Sequence, residues 1–108
     1  MIGKKKRIQK ENDLLARVYD LILNKETTED ERTNLIEFKN AVENGKDFKV
    51  ETMKLAESLR LLALRKFNNK ENLSKEVGKL YMDISSTGFF EAELGYGIIA
   101  LSGVLGNH

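Results

Sequence analysis

Few side chains in this chain can make or break bonds. Cysteine is absent, and the one histidine, His108, is the last residue. That removes disulfides, thiolate catalysis and cysteine-held zinc, and it leaves no imidazole placed to activate a Ser or Thr hydroxyl. A di-iron site in a helical bundle needs Glu-x-x-His pairs, and no Glu stands three residues before His108. Carboxylates cluster at Glu29-Asp30-Glu31 and at Glu91 and Glu93. Each cluster falls at a cap or a turn, where a solvated role suffices, whereas acid–base work needs a buried group with a displaced pKa. Gly95-Tyr96-Gly97-Ile98-Ile99-Ala100 fits the dinucleotide spelling G-x-G-x-x-A. That chemistry needs a strand before it, a helix after it and an acidic residue about 20 positions on. Only eight residues follow Ala100, so the match is a product of a glycine-rich tail. No catalytic residue, metal, cofactor or small-molecule substrate is expected.

The elements that would carry any other function are helical. The chain has 108 residues, 18 basic against 17 acidic, and a net charge of +1. This length suits a single domain over residues 1–108, and near-neutral charge argues against a dedicated nucleic-acid binder. Proline is absent, which favours long helices joined by Gly, Asn and Asp turns. After Lys4-Lys5-Lys6-Arg7, the residues Gln9, Lys10, Glu11, Asn12 and Asp13 stand where a signal peptide needs an apolar stretch. The longest uncharged run, 94–108, has 15 residues, short of the ~20 that cross a bilayer. A cytoplasmic protein is expected, with the basic arm solvated or drawn weakly to an anionic membrane at ~1 kcal/mol per residue.

Four periodic segments stand out. The first, about Lys5 to Asn24, repeats Ile8, Leu15, Val18, Tyr19 and Ile22, widened by Leu14, Leu21 and Leu23. The second opens on Thr28 with Glu31 three residues later, a capping box. Glu29 and Asp30 suit the positive end of its dipole, and Asn44-Gly45 ends it. Its stripe is Leu35, Phe38 and Val42. The third, about Val50 to Phe67, carries Met53, Leu55, Ala56, Leu59, Leu62, Ala63, Leu64 and Phe67, and Asn68-Asn69 reads as its stop. The fourth starts near Asn72, presents Leu73, Val77, Leu80, Tyr81 and Ile84, and closes at Ser85-Ser86-Thr87-Gly88. Gly78 inside it costs roughly 1 kcal/mol relative to Ala, which a closely approaching neighbour helix would explain.

Charge alternates along these segments: +4 over 1–25, −4 over 26–47, +4 over 48–70 and −3 over 71–108. In an antiparallel up-down-up-down four-helix bundle every adjacent pair is then complementary, which disfavours wrong pairings more than it adds stability. The expected class is all-α, with an apolar, glycine-rich C-terminal tail from about residue 88 packed back on the bundle. Five of the eight glycines lie in 88–106, interleaved with large apolar residues, and a free tail of this kind would aggregate. Phe89, Phe90 and Tyr96 are first read as anchors of that tail. Aromatics on a glycine-rich surface segment also suit a partner, and Tyr96, between two glycines, is the one expected to be partly exposed.

The long first helix with Leu14-Leu15-Ala16-Arg17-Val18-Tyr19-Asp20-Leu21-Ile22, the fourth reading Leu73-Ser74-Lys75-Glu76-Val77-Gly78-Lys79-Leu80-Tyr81, the lysine-rich start and the Gly- and aromatic-bearing C-terminus resemble the immunity proteins of pediocin-like (class IIa) bacteriocins, the enterocin A immunity family. The resemblance implies a four-helix bundle with a C-terminal tail. It also implies a protein that shields its producer from the producer's own pore-forming peptide. Such a protein acts from the cytoplasm on the mannose phosphotransferase permease with bound bacteriocin. Specificity would lie in the C-terminal half, here the third-to-fourth helix connection with Lys66, Asn69 and Lys70, the fourth helix and the tail. Two other readings stand beside it. One is a small helical nucleic-acid-binding regulator using the basic arm and Lys54, Arg60, Arg65 and Lys66. The other is an adaptor that dimerises through the tail.

Overall fold

The computed structural model describes the backbone of residues 2–85 and the side chains of residues 9–85. Phe89, Phe90, Tyr96 and the expected tail packing lie outside the described residues. The architecture is all-helical: α1 (Ile2–Leu23), α2 (Glu29–Glu43), α3 (Phe48–Asn68) and α4 (Lys75–Ser85), with no strand among the described residues. Helix α1 packs on α2, α2 on α3 and α3 on α4, and Arg17 on α1 reaches Asp83 on α4 at 2.8 Å.

Helices α2 and α3 begin and end for local reasons. Helix α2 starts at the capping box of Thr28 and Glu31, with the Thr28 N–H donating to Glu31 Oε1 at 2.9 Å. Helix α3 begins two residues earlier than the apolar pattern suggests, because the Asp47 carboxylate accepts from the Val50 N–H at 3.0 Å. Both α2 and α3 end in a Schellman turn. After α2, Gly45 N–H donates to the Val42 carbonyl and Lys46 N–H to that of Ala41, at 3.1 and 3.0 Å. After α3, Lys70 N–H donates to the Phe67 carbonyl and Glu71 N–H to that of Lys66, at 2.9 and 2.7 Å. Gly45 takes the left-handed position with φ 87°, and Lys70 takes the equivalent one with φ 62°.

The core is one cluster drawn from all four helices: Leu14, Val18 and Leu21; Leu35 and Phe38; Phe48, Leu55 and Leu59; Val77, Leu80 and Ile84. Each such side chain removed from water contributes about 1.5–3 kcal/mol. The Phe38 and Phe48 rings meet edge to face at 5.9 Å and close the α2–α3 turn.

Several expectations change, and Leu23 of the α1 stripe is exposed. Of the α3 stripe, Leu55, Leu59 and Leu62 are buried, but Met53, Leu64 and Phe67 are exposed, Phe67 by 72%. Helix α3 is apolar on two sides, and α2 and α4 cover only one of them. The fourth helix starts at Lys75 and not near Asn72, because Ser74 is the residue tied down from outside. Among the described residues Gly78 faces no close neighbour: a Cβ there would meet Leu73 Cβ at 3.9 Å, an ordinary contact. Charge alternation is met across helices by Arg17–Asp83 and by Lys66 with Asp30 and Glu31. Arg32–Glu29, Lys39–Glu43, Lys54–Glu51, Arg60–Glu57 and Lys79–Glu76 pair instead within one helix.

Candidate functional site

The α3–α4 corner is built around one carboxylate. Glu31, in the first turn of α2, is completely buried, which overturns its reading as a solvated cap residue. Its oxygens accept from the Thr28 N–H, from the Ser74 N–H at 2.7 Å and from the Ser74 hydroxyl at 2.7 Å. The Lys66 ammonium lies 3.6 Å away and donates to the Thr28 hydroxyl at 3.2 Å, with Asp30 also 3.6 Å from it. Ser74 precedes α4 and Lys66 lies in the last turn of α3, so this group joins the start of α2, the end of α3 and the start of α4.

Burial pushes the Glu31 carboxyl up, but the Ser74 and Thr28 N–H groups, the Ser74 hydroxyl and the Lys66 charge outweigh it. Glu31 is held below the ordinary carboxylate range. Asp30 is also held low, first by the Thr28 hydroxyl, with burial opposing and the Glu31 N–H and Lys66 adding. A general acid at neutral pH needs the opposite displacement.

A neighbouring polar group fastens α1 to α2. Arg32 donates to the carbonyls of Ile22, Asn24 and Thr27 at 2.8, 2.9 and 3.0 Å, satisfying acceptors at and just beyond the α1 C-terminus. The Thr27 hydroxyl donates to the Leu21 carbonyl at 2.7 Å.

The structure separates the residues that the resemblance points to. Lys66 is nearly buried, and its ammonium is directed at the Thr28–Asp30–Glu31 group. Asn69 and Lys70 are exposed. Lys70 shares a shallow depression with Phe67, Asn68, Glu71 and Asn72. Phe67 was expected in the core and instead stands on this corner. Its position one residue after Lys66 sets it on another side of α3 from the buried Leu55, Leu59 and Leu62. Glu31 and Ser74 had no sequence signal beyond capping, since their bond spans 43 positions.

Of the basic residues a nucleic-acid reading would use, Lys54 pairs with Glu51, Arg60 with Glu57 and Lys66 with Asp30 and Glu31. Among the described residues, no helix is long and apolar enough to cross a membrane, and no three His, Asp or Glu side chains are grouped to hold a metal ion.

The bacteriocin immunity protein family matches residues 9–88, from within α1 to just past α4, and the chain belongs to that family. Neither a curated protein nor a solved structure matches it.

Proposed function

We propose that this chain protects a bacteriocin-producing cell from a class IIa pore-forming peptide without catalysing a reaction. In this reading it works from the cytoplasmic side, binding the mannose phosphotransferase permease that holds bacteriocin and keeping that complex from leaking. The helices run up-down-up-down, and the tail from about residue 88 packs on the bundle. Asn69 and Lys70 contact the partner directly, with Phe67 beside them. Lys66 contributes from within by bracing the corner. Phe89, Phe90 and Tyr96 extend the contact surface from the tail. The basic N-terminal arm adds weak attraction to the inner membrane face.

The family match over residues 9–88 carries this reading. An exposed aromatic beside a surface depression, as at Phe67, belongs to the residue class enriched at protein contacts. The test is expression in a sensitive strain followed by survival against a panel of class IIa peptides. Protection against at least one is expected, and killing by all of them at the rate of the empty-vector strain overturns the reading. Loss of protection in a folded Lys70→Glu or Tyr96→Ala variant would place the contact surface.

A further inference from the structure

We infer that Glu31 is a positioning residue: its buried carboxylate clamps both ends of the α3–α4 corner and thereby sets the shape that a partner protein meets. The recognition role of that corner rests on the function proposed above; the clamp itself does not. Glu31 has no exposed surface, so it touches no partner and can act only through what it holds. Capping α2 requires only the bond from the Thr28 N–H. The two bonds from Ser74, across 43 positions, and the approach of Lys66 at 3.6 Å go beyond that task.

Lys66 and Ser74 bracket residues 67–73, of which 67–72 are all exposed. Within the bracket Lys70 sits at φ 62°, a left-handed conformation that a side chain with a Cβ disfavours. A strained residue persists only where its surroundings over-determine it, and the Ser74 bonds to Glu31 on one side and the Lys66 ion pair with it on the other do so. The face thus fixed is an aromatic ring, an ammonium, a carboxylate and amide groups around one depression. It is complementary to an apolar hollow on a protein surface rimmed by one cationic and one anionic group, which would face Glu71 and Lys70.

The experiment compares full-length Glu31→Gln with Val18→Ala. Val18 is buried on α1 and its truncation destabilises without touching the corner. Both variants are assayed at a temperature where circular dichroism shows each folded and immunoblots show equal levels. In Glu31→Gln the Ser74 and Thr28 amides should exchange at least tenfold faster than in Val18→Ala. The bacteriocin concentration that halves growth should fall at least tenfold, while Val18→Ala stays within twofold of the unaltered chain. Equal protection by the two variants, or unaltered amide exchange, overturns the inference. If Glu31→Gln does not fold, Ser74→Ala replaces it, removing one bond and keeping the carboxylate. Faster exchange over 69–74 with a several-fold loss of protection is then expected, and no change in either overturns the inference. If the unaltered chain protects against nothing, the immunity reading fails separately, and exchange alone decides whether Glu31 holds the corner.

Discussion

The corners after α2 and α3 are the same Schellman turn built two different ways. After α2 the left-handed position is Gly45, at φ 87° with open space around a would-be Cβ. An aspartate cap and the Phe38–Phe48 contact close that turn. After α3 the same position is Lys70, and the turn is held by a buried carboxylate from another helix. The first corner uses the residue that suits the backbone and is secured by apolar packing. The second accepts an unsuited residue, exposes a phenylalanine and relies on a polar clamp. Strain concentrated at one of two otherwise equivalent turns marks the turn where side-chain identity matters more than stability.

Perturbing each clamp breaks the comparison hardest. Phe48→Ala should cost about 4 kcal/mol, as truncation of a buried aromatic does, measured by urea unfolding. A loss below 1 kcal/mol would mean that the α2–α3 corner does not rest on the ring contact. Glu31→Gln should cost about 3 kcal/mol, because it removes the buried one of the two counter-charges of a nearly buried lysine and places an amide against N–H donors.

The two clamps also differ in their response to acid. Glu31 and Asp30 titrate lower in the folded chain than their ordinary values of 4.5 and 3.8. As pH falls, the unfolded chain binds protons first, so the stability they contribute is present above those values and drains away through the lower folded ones. Glu31→Gln should therefore flatten the stability profile below about pH 4.5, while Phe48→Ala shifts the whole profile without changing its slope. An unaltered acid limb in Glu31→Gln would show that this carboxylate is not the acid-sensitive tie.

Smaller effects sharpen the contrast between the turns themselves. Gly45→Ala should destabilise by about 1–2 kcal/mol, the cost of a Cβ in the left-handed region. Lys70→Gly should run the other way, stabilising by about 1 kcal/mol through relief of the same cost. In the bacteriocin survival assay it should also weaken protection. A melting temperature that falls in Lys70→Gly would show that the lysine stem makes compensating contacts and that the corner is not strained.

Helix number, type and approximate bounds were legible in the chain because they follow from short-range causes. Apolar spacing within a few turns, the Thr28–Glu31 capping box, Gly45 and the Asn68-Asn69 stop each act over at most a few residues, as did the family resemblance in its local strings. The start of α4 was misplaced because Ser74 is fixed by a carboxylate far away in sequence. Phe67, Leu64 and Met53 were assigned inward because a helix apolar on two sides gives no local sign of which side its neighbours will cover. The same limit hid Glu31. A glutamate at a capping position reads as solvated, since hydration is the default for a charge. Only the convergence of three chain segments supplies enough donors to keep it ionised out of water. Local composition therefore determined which helices form and roughly where, whereas burial, and with it the shape of the α3–α4 corner, was decided by long-range packing that places Lys66 and Ser74 around a single carboxylate.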